Sequence, residues 1–183
     1  MHHSIYLPSE DSYLLSESVK KFIEDNKIIS VLDMGSGSGI QSQTLIDNKI
    51  NPKRLTLTDI NLSAIKHLKV KFPKSKVIKS DLFNKIPKSS KFDLIIFNPP
   101  YLPEDENYKE LKSSRVATTG GKRGSEIINK FLKQSKPHLN DDGHILLLTS
   151  SLTKGINWMD YKKKKIASKK LFFEELYVWD VIL

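Results

Sequence analysis

The sequence predicts an α/β fold, in which a mostly parallel sheet is covered by helices on both faces. Short runs rich in β-branched and apolar residues alternate with amphipathic stretches along the chain. The clearest run, residues 92–97, is apolar almost throughout, which is typical of a strand buried on both faces. The length of 183 residues suits one domain, so we expect a single domain over residues 1–183.

The elements follow from local signals, taken here in chain order. Ser9 and the two acids after it favour a helix start, so residues 1–28 are expected to form a helical lead-in. Apolar residues then recur at helical spacing, at Leu15, Val19, Phe22 and Ile23. Strands are predicted at 30–34, 54–59, 76–79, 92–97 and 144–149, the last after an Asp-Asp-Gly turn. Helices are predicted through 43–47, at 62–70 and at 125–136.

The remaining segments carry weaker signals. The polar segment 102–119 has no clear periodicity and predicts a long loop on the substrate side of the site. The lysine run 162–165 is interpreted as the solvated face of a lysine-rich helix. The tail 171–183 is rich in strand-forming residues and predicts either two strands or one bent strand.

Composition excludes several classes of function. The net charge of +9 comes mostly from lysine, and a lysine-dominated excess favours solubility over a nucleic-acid-reading surface. The chain has no cysteine, which excludes disulfides, thiol catalysis and cysteine zinc sites. His67, His138 and His144 fall on different predicted elements, so no metal site is expected. No apolar run approaches the roughly 20 residues of a membrane span, and no secretory signal opens the chain, which predicts a cytoplasmic protein without a membrane partner.

A glycine-rich loop, 33–39, joins the first strand to the next helix. Glycines at such a junction permit a tight turn and close backbone approach to a ligand at the helix N-terminus. Gly35 and Gly37 follow the spacing G-x-G-x-G, which differs from the G-x-G-x-x-G of dinucleotide-binding oxidoreductases. Asp33 directly before the glycines favours a cationic ligand over a phosphate. An ordinary glycine–serine turn is the alternative.

Three acids follow three consecutive predicted strands. Asp33, Asp59 and Asp81 therefore converge on the carboxyl edge of the sheet, where open α/β sheets bind ligands. Each alone would be interpreted as a helix cap or a turn acid. Asp59 is suited to accept both hydroxyls of a ribose. Cationic groups, a ribose diol and no phosphate together predict S-adenosylmethionine as the ligand.

The segment Asn98-Pro99-Pro100-Tyr101 follows the fourth strand and carries the most specific signal. Two prolines make a rigid turn that fixes the asparagine side chain and the neighbouring carbonyl, both hydrogen-bond acceptors. Tyr101 adds an aromatic surface. Such acceptors suit a planar NH2 group whose lone pair must be aimed at an electrophilic methyl group. A proline turn that merely closes a strand is the alternative.

At this point the chain resembles the class I S-adenosylmethionine-dependent methyltransferases of the HemK type, which methylate the side-chain amide of glutamine. It resembles most their short archaeal and eukaryotic branch, which modifies the Gly-Gly-Gln motif of class I translation termination (release) factors. The matching motifs are 6–12, 31–39, 58–61, 81–82, 98–101 and 120–124. The resemblance implies a Rossmann-like, seven-stranded, mostly parallel sheet with helices on both faces.

The resemblance also implies roles for individual residues. The implied cofactor contacts are Ser12, Asp33, Gly35, Gly37, Asp59, Asp81, Leu82 and Asn98. Asp59 would hold the ribose, while Asp81 and the Leu82 backbone would read adenine. Asn98 and the Pro99 carbonyl would grip the substrate amide, with Pro100 completing the turn and Tyr101 packing against the substrate.

A partner is implied as well. Bacterial relatives carry a helical N-terminal domain, whereas here the first motif begins at Tyr6, so no separate substrate-recognition domain is expected. The family implies a small zinc-binding activator that adds a strand to the sheet edge, giving a heterodimer. The third strand is expected at an edge, and residues 61–91 hold nine lysines with Asp81 as the only acid. An acidic partner would dock there, although edge lysines also simply deter strand addition.

Other functions remain open at this stage. An adenine-N6 methyltransferase of DNA or RNA would share the segment 98–101, with Tyr101 stacking on a flipped base. The scarcity of arginine, three residues in all, argues against it. Methylation of lysine on another protein does not need this set of acceptors. A binding module on a degenerate methyltransferase fold predicts loss of Asp59 or Asn98, and both are present.

Overall fold

The computed structural model describes residues 5–104 and 118–183. The described α-helices are α1 (Glu10–Asp25), α2 (Ile40–Asp47), α3 (Leu62–Lys71) and α4 (Glu126–Ser135), and short 3-10 helices lie at Pro52–Arg54 and Lys136–His138. The described strands are β1 (Val31–Met34), β2 (Leu55–Asp59), β3 (Lys76–Lys79), β4 (Phe92–Phe97), β5 (Leu139–Ser150), β6 (Lys162–Lys170) and β7 (Glu175–Ile182). The elements from α1 to β4 match the predicted ones to within a few residues.

The described strands form one seven-stranded sheet in the order β3-β2-β1-β4-β5-β7-β6. Strands β3, β2, β1, β4 and β5 run parallel, and β7 is antiparallel to both of its neighbours. The predicted mostly parallel sheet is therefore confirmed, and β3 lies at an edge as expected. The carboxyl ends of β1, β2 and β4 meet at one edge because these strands are adjacent and parallel.

Helices cover both faces of the sheet, as predicted. On one face α1, α2 and α3 pack on alternate residues of the strands, for example Val31, Leu57 and Ile96. On the other face α4 packs against the intervening residues, for example Leu32 and Ile95. The alternation arises because successive side chains of a strand point to opposite faces. Burial on both faces explains why the central strands are almost wholly apolar.

The predicted lysine-rich helix is wrong, because Lys162–Lys165 begin strand β6 at the second edge of the sheet. The run has too few apolar residues to give a helix a buried stripe, whereas β7 offers it a ladder of hydrogen bonds. The Lys163 ammonium lies 4.1 Å from the centroid of the Trp158 ring, which gives it a cation–π contact. The run is solvent-exposed, but on an edge strand, where lysines deter pairing with other chains.

The tail forms one strand, β7, which pairs with both β5 and β6, so a single strand is the alternative found. The C-terminal half departs from prediction at one more point. Strand β5 begins at Leu139, so the Asp-Asp-Gly segment lies within the strand and is not a turn before it. The pairing with β4 slips between Leu139 and His144, which places that segment in an irregular stretch of the ladder.

Residues 105–117, the greater part of the predicted loop 102–119, lie outside the described residues. The two ends of this segment are joined, because Leu102 forms an isolated bridge with Thr119. Among the helices that the structure describes, none combines the length and the apolar character that a membrane crossing requires. The single-domain expectation and the helical lead-in over 1–28 stay predictions, although α1 begins after Ser9 as expected.

Candidate functional site

A cavity of about 790 Å³ opens at the carboxyl edge of β1, β2 and β4. Its walls come from the N-terminal segment, the glycine loop, the ends of β2 and β3 and the turn after β4. All residues predicted to form the site lie in these walls: Ser12, Asp33, Gly35, Gly37, Asp59, Asp81, Leu82, Asn98, Pro99, Pro100 and Tyr101. The structure therefore brings the predicted residues together, and their contacts differ from one end of the cavity to the other.

The glycine loop carries the chain from β1 into α2 along one wall. Gly35 and Gly37 both have left-handed backbone, with φ of 62° and 54°. The Ser36 hydroxyl donates to the Asp33 carbonyl at 2.7 Å, which closes the turn. A Cβ at Gly35 would only touch the Phe97 ring, at 3.4 Å, so the left-handed backbone is what favours glycine here. Glycine thus leaves the backbone of this wall open to a ligand.

Asp33 is nearly inaccessible, with 2 % of its surface exposed. One carboxylate oxygen accepts from the Ser42 hydroxyl at 2.6 Å and from the Ser42 backbone N–H at 3.2 Å. Burial raises the pKa of Asp33 to about 7, although the hydrogen bonds from Ser42 act in the opposite direction. The Asp33 carboxyl therefore changes its charge near neutral pH, and a cation in the cavity would favour the ionised form.

Asp59, at the end of β2, is tied to two backbone amides. Its oxygens accept from the N–H of Gly37 at 2.8 Å and from the N–H of Asn61 at 2.7 Å. Burial raises the pKa of Asp59, while these backbone hydrogen bonds lower it in part. A carboxylate held by two amides has a fixed orientation and retains acceptor capacity for hydroxyl groups in the cavity.

The end of the cavity at Asp81 and Leu82, here called the far end, is more open. The Asp81 side chain is 44 % exposed, and it forms an ion pair with Lys130 of α4 at 2.7 Å. The neighbouring Leu82 is buried and has a left-handed backbone, with φ of 46°. The Ser80 hydroxyl donates to the Leu82 carbonyl at 2.7 Å and stabilises this turn. Left-handed backbone is uncommon for leucine, and such residues cluster at functional sites.

At the opposite end of the cavity, here called the near end, the buried acid Asp11 fixes the orientation of the Asn98 amide. Its Nδ2 donates to Asp11 Oδ2 at 3.1 Å. Since a carboxylate only accepts hydrogen bonds, it fixes which end of the amide points towards it. Asn98 Oδ1 is buried and has no hydrogen-bond partner among the described residues. A buried acceptor without a partner is costly, so this oxygen stands ready for an N–H donor.

Asp11 is surrounded by hydrogen-bond donors. Besides Asn98, the Tyr6 hydroxyl donates to both carboxylate oxygens at 3.2 Å, and the Ser12 N–H donates to Oδ1 at 2.6 Å. Burial, followed by the nearby Asp11 carboxylate, raises the pKa of both Tyr6 and Tyr101 well above its ordinary value. Both phenols therefore stay protonated at neutral pH, and the cluster is one network of fixed polarity.

Sequence reasoning did not assign Asp11 a place in the site. In the sequence it is an ordinary acid in the first turn of a helix, where acids are common. Only 5 % of the Asp11 surface is exposed, and this burial cannot be predicted before the fold brings residue 98 next to it. Gln41 was also missed: its Nε2 donates to the Ser12 carbonyl at 3.0 Å, and its Oε1 is a second buried acceptor without a partner among the described residues.

The late glycine motif, residues 120–124, supports the turn after β4. A side chain on Gly120 would place its Cβ 2.5 Å from the Pro100 carbonyl oxygen. A side chain on Gly124 would place its Cβ 2.2 Å from the Tyr101 carbonyl oxygen. Both distances are far below van der Waals contact, so only glycine permits this close approach. The two motifs, distant in the sequence, therefore form a single packed unit beside Asn98.

The histidines take part in contacts away from one another. His138 Nδ1 pairs with the Ser90 carbonyl at 2.9 Å, and His144 Nδ1 pairs with Asp180 at 2.7 Å. Over residues 5–104 and 118–183, no group of three His, Cys, Asp or Glu side chains is arranged to hold a metal ion. The lining of the cavity combines carboxylates, amides and hydroxyls with apolar side chains such as Ile40, Leu62 and Phe97.

Comparison with known proteins points to one family. The model of the methyltransferase small domain matches residues 11–167. A putative protein N5-glutamine methyltransferase of Methanocaldococcus jannaschii is 35 % identical over 97 % of this chain and 91 % of its own length. A release factor glutamine methyltransferase of Rhodopirellula baltica is 29 % identical over 88 % of this chain, which spans 56 % of that bacterial protein.

A solved structure shares the fold. The complex of Mtq2 and Trm112 from E. cuniculi, which is described as responsible for methylation of the eRF1 translation termination factor, superposes with a TM-score of 0.73. The alignment covers 97 % of this chain and 98 % of that one at 23 % identity. At this identity, the likeness establishes the architecture of the sheet and helices.

Proposed function

The chain belongs to the methyltransferase small domain family, and we propose that it methylates the glutamine of a Gly-Gly-Gln motif in a class I release factor. The methyl group passes from S-adenosylmethionine to the side-chain amide nitrogen. The observation that carries the proposal is the buried Asn98 Oδ1, which has no hydrogen-bond partner within residues 5–104 and 118–183 and belongs to an amide that Asp11 orients through Nδ2. The names of the archaeal and bacterial relatives support glutamine as the acceptor, rather than adenine in DNA or RNA.

The residues in the cavity fit S-adenosylmethionine. Its cationic groups match a cavity that holds carboxylates and no phosphate-binding motif, and its ribose diol matches the fixed acceptor Asp59. Asp33, Gly35 and Gly37 would hold the methionine part, and Asp81 with the Leu82 backbone would contact the adenine. Ser12 and Asn98 would also contact the cofactor. When bound, the cofactor supplies an electrophilic methyl group on a positively charged sulfur.

Asn98 and Pro99 orient the acceptor. A glutamine amide nitrogen is a poor nucleophile, because its lone pair is delocalised into the carbonyl group. Asn98 Oδ1 and the Pro99 carbonyl accept its two N–H hydrogens and thereby direct the nitrogen lone pair towards the methyl group. This arrangement lowers the barrier by orientation and by stabilising the positive charge that develops on nitrogen.

The reaction needs no general base before attack. On accepting the methyl group that the bound cofactor would supply, the amide nitrogen would become cationic and its N–H acidic. The hydrogen bond to Asn98 stabilises that proton until it leaves to solvent after the transfer. Tyr101 stays protonated because burial and the Asp11 and Glu174 carboxylates raise its pKa, so it packs against the substrate without adding charge. Pro100 holds the turn rigid between these residues.

The proposal is tested by methyl transfer from labelled S-adenosylmethionine. The substrates are an archaeal class I release factor, the same factor with its Gly-Gly-Gln glutamine changed to alanine, and adenine-containing DNA and RNA. Label on the intact factor and none on the alanine variant is the expected result. Label on nucleic acid, or equal label on both forms of the factor, would overturn the proposal. Each reaction is run with and without the candidate activator described next.

A small zinc-binding activator is the second proposed partner, which forms a heterodimer with this chain at β3. Two observations support this site: β3 is an edge strand, and it presents Lys76 and Lys79 to solvent while Val77 and Ile78 are half-buried. An edge strand offers unpaired backbone groups, and lysines beside it favour an acidic partner. The solved complex of Mtq2 with Trm112 supports a protein partner for this fold.

The charge of β3 can be reversed against a matched control at the other edge. The double variant Lys76→Glu/Lys79→Glu is expected to weaken binding of the activator, measured by titration calorimetry, by about tenfold or more. Lys162→Glu/Lys164→Glu removes the same charge from β6 and is expected to leave the affinity unchanged. Equal affinity of both variants would show that the lysines of β3 only protect an edge.

Two further assignments complete the proposal. We place the protein in the cytoplasm, where a release factor would be available to it. Residues 102–119 are assigned to the substrate side of the site, because Leu102 directly follows Tyr101 and pairs with Thr119 beside the cavity. One domain suffices for both tasks, with substrate selection by the surface around the cavity.

A further inference from the structure

The turn between β6 and β7 exposes two adjacent aromatic side chains. Phe172 and Phe173 are 92 % and 84 % exposed, which places them among the most exposed large apolar side chains of the described residues. Their rings contact each other edge to face, with centroids 4.7 Å apart. The turn is closed by a hydrogen bond from the Leu171 N–H to the Glu174 carbonyl at 2.8 Å. Exposed apolar pairs are unfavourable for solubility, and such patches mark interaction sites.

The turn with Phe172 and Phe173, here called the tip, lies at the same end of the strands as the cavity. Strand β5 is parallel to β4, with Phe97 opposite Leu147, so the end of β5 extends beyond the level of Asn98. Ser150, at that end, pairs with Leu176, and the tip continues farther in the same direction. Two or three strand spacings separate β4 from the tip, about 10 to 15 Å across the sheet. The tip also lies about five residues beyond the level of Asn98, about 17 Å at roughly 3.3 Å per residue, so an extended peptide of several residues spans the whole separation.

Polar contacts connect the segments next to the tip with residues of the site. The Ser150 hydroxyl donates a hydrogen bond to the Glu174 carboxylate. Burial, Asp11 and the Glu174 carboxylate together raise the pKa of Tyr6 and Tyr101. Lys169 forms an ion pair with Glu10 at the start of α1. The Thr153 hydroxyl, just after β5, donates to the Tyr101 carbonyl at 2.9 Å. The backbone on both sides of the aromatic pair is therefore connected, through β5 and α1, to the elements that carry the site.

We propose that the Phe172–Phe173 tip is a docking surface for an apolar segment of the protein substrate next to the methylated glutamine. The inference rests on the proposed function, since an acceptor on a large protein must lie across the rim of the cavity. It follows from the continuity of the tip with the site and from the exposure of both rings.

The test is the steady-state kinetics of the full chain with an intact archaeal class I release factor. The double variant Phe172→Ser/Phe173→Ser is expected to raise KM for the factor about tenfold, with kcat within about twofold of wild type. Affinity for S-adenosylmethionine, from titration calorimetry, stays unchanged because the tip does not line the cavity. Ile29→Ser is the matched control, a half-exposed apolar residue before β1 at the opposite end of the sheet, and it leaves KM unchanged.

If KM is unchanged in the double variant, the inference is overturned. Methyl transfer to the factor by the wild-type protein in the same assay leaves the proposed function intact. Wild-type protein that binds S-adenosylmethionine but does not methylate the factor overturns the proposed function, and the inference with it. Light scattering supplies the remaining outcome. A wild-type dimer that the double variant converts into a monomer would assign the tip to self-association and contradict substrate docking.

Discussion

The two ends of the cavity are built in opposite ways. At the near end Asn98, Asp11 and Tyr6 are joined by hydrogen bonds in a partly or fully buried network. At the far end the Asp81 carboxylate is 44 % exposed and pairs with a lysine that is exposed to a similar degree. Buried hydrogen-bond networks hold their side chains in one orientation, whereas exposed ion pairs contribute little to the stability of a particular arrangement. The chain therefore pre-organises the end that we propose for methyl transfer and leaves the end that we propose for adenine adjustable.

The largest expected effect comes from removing the acceptor at the near end. Asn98→Ala is expected to lower kcat for the release factor about a thousandfold, because no side chain then orients the substrate amide. Affinity for S-adenosylmethionine is expected to change by less than about tenfold, since the other cofactor contacts remain. Single-turnover methyl transfer and titration calorimetry measure the two quantities. Loss of affinity without loss of kcat would assign Asn98 to cofactor binding alone.

The second effect comes from Asp11, which acts through Asn98. In Asp11→Asn the Ser12 N–H keeps the new side-chain oxygen in the place of Oδ1, so an NH2 group replaces Oδ2. That NH2 faces the Asn98 Nδ2, and two donors repel, which turns the Asn98 amide and presents its NH2 to the cavity. We expect kcat to fall about a hundredfold with KM little changed. Wild-type kcat in this variant would contradict the positioning role.

Asp33 lies between the two ends and makes cofactor binding depend on pH. Its pKa of about 7 in the free protein means that binding of a cation below neutral pH requires loss of a proton. Affinity for S-adenosylmethionine is therefore expected to rise as pH increases from 5.5 to 7 and to level off above about 7.5. Calorimetry in buffers of different ionisation enthalpy measures the released proton. Asp33→Asn is the control, and it should remove this part of the pH dependence.

The same ionisation affects folding stability with a defined sign. The pKa of Asp33 is raised in the folded state from its ordinary 3.8, so its contribution to stability is fully present below pH 3.8. It decreases as pH rises from there to about 7, because the unfolded chain ionises first. Ligand-free wild type should therefore lose stability relative to Asp33→Asn over this range, measured by urea unfolding. A constant difference between the two proteins would contradict burial as the cause.

The smallest effect is expected at the far end. Lys130→Ala removes the partner of Asp81 and is expected to change affinity for S-adenosylmethionine by no more than about threefold. The direction is towards tighter binding, because the Asp81 carboxylate no longer has to leave an ion pair to contact adenine. Titration calorimetry at low salt checks this. A tenfold loss of affinity would show that the ion pair positions Asp81 and that the far end is also pre-organised.

Much of this fold follows from local sequence signals. The strands up to Phe97, the glycine loop and the acids at strand ends are each encoded within a few residues, and the structure places them as predicted. Strand β6 could not be predicted in this way, because a lysine run becomes a strand only beside β7. The start of β5 was misplaced for a similar reason, since an Asp-Asp-Gly segment usually signals a turn and here lies within the ladder.

In the candidate site, too, some features follow from local sequence and others depend on the tertiary structure. Asn98 is recognisable from its two following prolines, but its orientation depends on Asp11, which is 87 positions away in the sequence. The exposure of the Asp81 side chain and its pairing with Lys130 likewise depend on how α4 packs on the sheet. Residue types and spacing therefore predict which residues meet at the cavity. The tertiary structure decides which of them are fixed and which remain free to adjust.

A double-mutant cycle over Asp11 and Asn98 tests the central claim most directly. The rates of methyl transfer are measured for wild type, Asp11→Asn, Asn98→Ala and the double variant with saturating S-adenosylmethionine and release factor. If Asp11 acts by orienting the Asn98 amide, adding Asp11→Asn to Asn98→Ala changes the rate by less than about twofold. If the two losses multiply to about a hundred-thousandfold, the residues act independently and the pre-organised acceptor is contradicted.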